Sequence, residues 1–143
     1  MKVSHIPFVF GLTFVLGLGA EERKVMMAKP TPEQVSFFES KVRPLLIERC
    51  HECHSHKAEK LKGDLFLDSR KGVLHGGDNG PAVKPGNPEG SLLIEAIRYR
   101  DPDLQMPPKT KLSASEIETL EQWVSLGAPW PDEPEPTGGK VGK

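Results

Sequence analysis

The chain holds two cysteines, and they stand three apart in Cys50-His51-Glu52-Cys53-His54. One local pair cannot staple a framework, so a disulfide-built scaffold is excluded. The C-x-x-C-H spacing reads instead as an attachment point for one covalent c-type haem. Two thiols add across the two vinyl groups on one haem edge. Two intervening residues let a single helical turn present both sulfurs on one side. The next residue, His54, then reaches the iron as an axial ligand.

Other readings of the same five residues compete. A thioredoxin-like C-x-x-C follows a strand in a βαβ unit, whereas an amphipathic helical pattern precedes this one. A zinc site could draw on Cys50, Cys53, His54 and His56, but structural zinc usually takes its second ligand pair from a distant stretch. A plain Cys50–Cys53 disulfide is the third.

The surrounding pattern is helical and broken by turns. Thr31-Pro32-Glu33-Gln34 has the form of a helix start, with a capping threonine and proline at the first helical position. Val35, Phe38, Val42, Leu45 and Leu46 follow at helical spacing as far as Arg49, with Pro44 placed to kink or divide the helix. Ser113-Ala114-Ser115-Glu116 is a second capping box, with Leu112 and Ile117 set as a hydrophobic staple. Ile117, Leu120, Trp123 and Val124 give that helix an apolar face, which Gly127 and Pro129 end. Between these helices the expected elements are short: an extended piece over Gly63–Leu67, a turn or two capped by Asp68, and a helix started by Asn87-Pro88. Gly76 to Pro88 reads as loop. Gly and Pro supply 14 residues each, which argues for many turns between short helices.

A haem iron takes a sixth ligand or keeps an open face. Met106 is the only methionine beyond the motif. It sits in a loop, and Pro107 and Pro108 stiffen that loop, which suits a sulfur that must be held at a fixed point. His75 and His56 are the rival ligands. Arg70, Arg98, Arg100, Lys109 and Lys111 read as solvated charges, any of which could pair a haem propionate.

Residues 1–20 have the order of a secretory signal peptide: Lys2, an apolar run from Ile6 to Leu18, then small residues. The run is shorter than the roughly 20 residues of a membrane span. Residues 21–30 read as a flexible lead, 31–131 as the folded domain and 132–143 as a disordered tail. Beyond residue 20 only six aromatics remain, Phe37, Phe38, Phe66, Tyr99, Trp123 and Trp130. So small an inventory suggests that a bound group fills part of the core. The balance of 19 basic against 20 acidic residues gives no electrostatic bias towards nucleic acid.

From roughly Phe37 to Asp132 the chain resembles a class I c-type cytochrome, most closely the planctomycete cytochrome c domain. The resemblance rests on Cys50-His51-Glu52-Cys53-His54, Gly63-Asp64-Leu65, Leu67-Asp68-Ser69-Arg70 and Gly76-Gly77. It continues through Pro85-Gly86-Asn87-Pro88, Ser91-Leu92-Leu93-Ile94, Met106-Pro107-Pro108, Leu112-Ser113, Glu116-Ile117, Trp123 and Gly127-Ala128-Pro129-Trp130-Pro131. It implies an all-α fold of short helices around haem c, with the first and last helices crossing. It implies Cys50 and Cys53 as thioether residues and His54 and Met106 as axial ligands.

The expectation is therefore a periplasmic or secreted electron carrier and not an enzyme. It would exchange electrons with a redox protein donor and acceptor, and meet a membrane only if the leader stays uncleaved. One alternative is a haem-dependent peroxidase-like or ligand-sensing protein in which Met106 leaves the iron. The other is a haem-free metal-binding or thiol-redox domain. Covalent attachment is testable directly: the double variant Cys50→Ala/Cys53→Ala should lose the haem stain in a denaturing gel, and a persisting stain would refute the reading of the motif.

Overall fold

Thr31 starts the first helix as its sequence suggests. Its hydroxyl accepts the Gln34 backbone N–H at 3.3 Å, while the Gln34 side chain accepts the Thr31 N–H at 2.9 Å. The structure, a computed structural model, describes residues 29–134 and 136–137. The expected signal peptide, most of the lead and much of the tail lie outside the described residues. The described chain is all-α. Helix α1 spans Pro32–Phe37, a π-helical turn spans Phe38–Val42, and α2 spans Arg43–Arg49. They are followed by α3, Arg70–His75, α4, Leu92–Arg98, and α5, Ala114–Ser125. There is no strand among the described residues; Gly77 and Gly80 form one isolated bridge.

The π turn is the molecule's answer to Pro44. Proline lacks an N–H, and its ring presses on the carbonyl four residues back. Here the ladder widens just before it, with the Arg43 N–H donating to the Phe38 carbonyl, five residues earlier. The helix is thus neither broken nor sharply divided. Phe38 and Val42 of the π turn are buried together with Leu45 and Leu46 of α2.

Helix α5 packs across the π turn and against α4. Its face is the expected one: Leu120, Trp123 and Val124 are buried, Ile117 partly so. Phe38 clusters with two tryptophans, with ring centroids 6.0 Å from Trp123 and 4.5 Å from Trp130, and the two indoles are 6.2 Å from each other. The Trp123 indole N–H donates to the Pro129 carbonyl at 2.9 Å, which satisfies its one polar atom inside the core. Three of the six available aromatics are concentrated at this point. Leu93, Ile94 and Ile97 from α4, with Val73, Val83 and Leu67, complete the cluster.

Three local expectations need correction. The 63–67 stretch opens with a turn at Gly63 and Asp64, which both take positive φ, at 62° and 47°, and its remaining residues form no strand. Helix α3 is capped by Ser69, whose hydroxyl accepts the Gly72 N–H at 2.9 Å, and not by Asp68. Helix α4 starts at Leu92 rather than at Pro88. Asn87 instead closes a turn on the Gly90 N–H at 2.9 Å, and buried Ser91 bonds the backbone of Lys84 and Asn87. The glycines Gly76 and Gly77 are required by close backbone approach. A Cβ on Gly76 would overlap the Gly80 carbonyl, and one on Gly77 would overlap the Gly63 carbonyl, to which the Asp78 N–H donates at 2.9 Å.

Trp123 is fully buried, so Trp123→Ala should destabilise the protein by about 3–5 kcal/mol. Chemical denaturation followed by circular dichroism checks this; an unchanged midpoint would contradict the packing of α5 on the π turn.

Candidate functional site

Helix α2 delivers the chain to the motif. Cys50 ends the helix with φ at −127°. Its N–H and that of His51 both return to the Leu46 carbonyl, at 2.9 and 3.1 Å. A new turn then closes on Cys50 itself, whose carbonyl accepts the N–H groups of Cys53 at 3.2 Å and His54 at 3.0 Å. Cys50, Cys53 and His54 are thereby gathered into one turn, as the spacing requires. Both cysteines are free thiols. Cys50 packs against the hydrophobic cluster, and burial pushes its thiol up to about 12.

His54 has one ring nitrogen fixed. Its Nδ1 lies 3.1 Å from the Lys62 carbonyl oxygen. A carbonyl only accepts, so Nδ1 carries the proton and Nε2 keeps its lone pair. Burial lowers the pKa of His54 and outweighs the opposing pull of the Lys62 and Leu65 backbone bonds. The ring is therefore neutral at pH 7. A neutral imidazole with its second nitrogen anchored on a carbonyl is the usual preparation for a metal-binding histidine. This chemistry fits a haem iron, and the two free thiols on the same turn fit the haem's attachment. Cys50 and Cys53 would hold the group and His54 would ligate it.

Met106 stands on a separate loop after α4. Its backbone N–H donates to the Ala96 carbonyl at 3.1 Å, and the Tyr99 hydroxyl donates to the Pro107 carbonyl. The Met106 side chain is 39% exposed, and no hydrogen bond among the described residues joins it to the motif turn. The rival ligands are disposed otherwise. His56 bonds Asp68 through Nδ1 at 2.7 Å, and His75 is exposed at the end of α3. Among the described residues no group of three or more His, Cys, Asp or Glu is placed to hold a metal ion. Of the basic residues, Arg98 pairs with Glu121 at 2.6 Å and Glu89 at 2.5 Å, while Arg100 pairs with Glu89 at 3.3 Å.

A cleft of about 910 Å³ flanks the motif, with Ile47, His51, Glu52 and Cys53 in its wall. Neither His54 nor Met106 lines it. Two site features escaped sequence reading. The Lys62 carbonyl is backbone and carries no side-chain signal. The His56–Asp68 pair spans a loop, and each residue alone has a commoner role.

A helical domain whose C-x-x-C-H turn presents two thiols and an anchored neutral histidine has the parts that covalent haem attachment requires. Residues 50–110 match the model of a family described as Planctomycete cytochrome C. The matched stretch begins at Cys50 and contains Met106, and it supports the planctomycete cytochrome c domain expected from the motifs, with a role in haem binding and electron transfer. No curated protein and no solved structure matches the chain.

The raised Cys50 pKa gives a pH-dependent prediction for the haem-free protein. In Cys53→Ala, where Cys50 is the remaining thiol, alkylation by iodoacetamide at pH 8 should be more than about tenfold slower than for an unfolded peptide, because only thiolate reacts. The rate should climb as pH rises towards 12. Peptide-like rates at pH 8 would show Cys50 to be accessible.

Proposed function

We propose that this protein is a monohaem c-type cytochrome that moves single electrons between redox proteins outside the cytoplasm. The observation that carries the reading is the Nδ1–H of His54 donating to the Lys62 carbonyl at 3.1 Å, on the same turn as two free thiols. In this reading Cys50 and Cys53 would hold the haem as thioethers, and His54, through Nε2, and Met106, through sulfur, would hold its iron. The haem supplies reversible one-electron chemistry at its iron. The chain's part is to hold, orient and enclose. The motif turn fixes the edge of the group, the Lys62 carbonyl fixes the His54 ring, and the Ala96 and Tyr99 bonds tether the loop bearing Met106. Met106, as a thioether ligand, would raise the reduction potential, and together with His54 it would leave no place on the iron for a substrate.

Location outside the cytoplasm is supported by the leader-like order of residues 1–20 and by the domain class. No helix among the described residues is long and apolar enough to cross a membrane. A second reading, a ligand-sensing or peroxidase-like protein, is favoured by one observation: the 39% exposure of Met106 suits a ligand that can leave.

An absorbance spectrum of the haem-loaded protein separates the two. With Met106 bound, both oxidation states are low-spin, and the ferric form shows the weak near-infrared band of sulfur–iron ligation. Met106→Ala should abolish that band, lower the potential and let reduced protein bind carbon monoxide. Met106→His should restore low-spin iron at a lower potential. Rapid carbon monoxide binding by the unmutated protein would favour the sensor or enzyme.

A further inference from the structure

The stretch after the motif turn folds back on it, and one carboxylate fastens the two limbs. Asp68 Oδ2 accepts the backbone N–H of His56 at 2.7 Å, and Oδ1 accepts the Nδ1–H of the same residue at 2.7 Å. The His56 and Asp68 side chains are only 16% and 13% exposed, and bonds to an ionised acceptor are the stronger kind. The His56 ring also stacks on Phe66, with centroids 4.1 Å apart and planes at 24°. Leu67, next to Asp68, donates its N–H to the His54 carbonyl at 2.8 Å and accepts Nε2–H of His51 at 3.1 Å. At the other end of the loop, the Lys62 N–H donates to the Cys53 carbonyl at 3.1 Å, while the Lys62 carbonyl takes the His54 ring proton.

The direction of the His54 imidazole therefore depends on how the 62–68 limb sits against the 53–56 limb. Every other hydrogen bond across that seam uses a neutral backbone acceptor. Asp68 alone brings a charged side chain, and it grips both the backbone and the ring of a residue two positions from His54. It is free to do so because Ser69 caps α3 in its place.

We propose that Asp68 is a positioning residue for His54: its two-point hold on His56 keeps the Lys62 carbonyl in register with His54 Nδ1 and so sets the plane of the ligating ring. The proposal rests on the haem reading above. Asp68 does not touch the ligating atom. Its effect is on ring orientation, and in an oxidised low-spin haem protein that orientation governs how unpaired spin is shared among the haem methyl groups.

The test is proton NMR of the oxidised, haem-loaded protein. Asp68→Ala should shift the order of the haem-methyl resonances or double them, as the imidazole samples a second orientation. His56→Phe keeps an aromatic ring for Phe66 and removes only the Nδ1 donor; it should shift the same resonances less, and it carries the test if Asp68→Ala fails to mature. Ser69→Ala, which removes only the α3 cap, should lower the thermal midpoint and leave the methyl pattern intact. A normal methyl pattern in Asp68→Ala, or in His56→Phe where that variant stands alone, would assign Asp68 to stability only and overturn the proposal. Unmutated protein without covalent haem would overturn the haem reading and this proposal with it, so the two failures are distinguishable.

Discussion

The three-ring cluster of Phe38, Trp123 and Trp130 fixes the rest of the structure. That contact joins the first helix to the last and to the segment that follows it. Through α2 it also decides where the motif turn begins. The contact is reinforced from outside. Arg43 lies over the Phe38 ring at 4.8 Å and over Trp130 at 5.6 Å. Its guanidinium binds Glu39 at 2.8 Å on its own helix and Glu133 at 2.9 Å beyond α5. An isolated exposed ion pair contributes little, about 0–1 kcal/mol. Arg43 is instead a partly enclosed fork with two carboxylates and two aromatic faces, and it clips the 130–133 segment down over the core.

Local chemistry was the legible part of the sequence. Both capping boxes were read correctly, because a cap is a contract between residues three apart and needs no tertiary partner. The buried face of α5 was equally plain from its period. The misreadings fall where two residues offer the same local service. Asp68 and Ser69 can each cap a helix, and only the position of His56 on the preceding loop decides which one is left to do so. Pro88 can open a helix, but Ser91 is buried and its hydroxyl bonds the backbone of the preceding loop at Lys84 and Asn87, which delays the helix to Leu92. Pro44 marks in the sequence the place where the helix is irregular. That it would widen a turn rather than break the helix depended on Phe38 and Val42 both needing burial.

The candidate site divides along the same line. Cys50, Cys53 and His54 lie within one turn, so their spacing in sequence is nearly their geometry in space. The anchor of the His54 ring is a backbone carbonyl eight residues on, and no residue type announces that. Met106 belongs to a loop whose path is set by α4 and by Tyr99. Its candidacy was visible in sequence as a lone methionine before two prolines, whereas its approach to an iron is a matter of tertiary geometry.

The π turn carries a consequence for helical phase. Each residue of an ideal α-helix advances about 100° around the axis. Counted that way, Cys50 would face roughly 120° away from Phe38. The wide turn holds one residue more than an α-turn, which turns the phase back by about 100°. Cys50 accordingly packs on the same hydrophobic cluster as Phe38. The irregularity that accommodates a proline thus also aims the motif. Tightening this turn to α geometry with all its residues kept would rotate the first thiol, and everything after it, by about 100° away from the core. In this stretch the width of a single helical turn is as much a functional property as the identity of the cysteines.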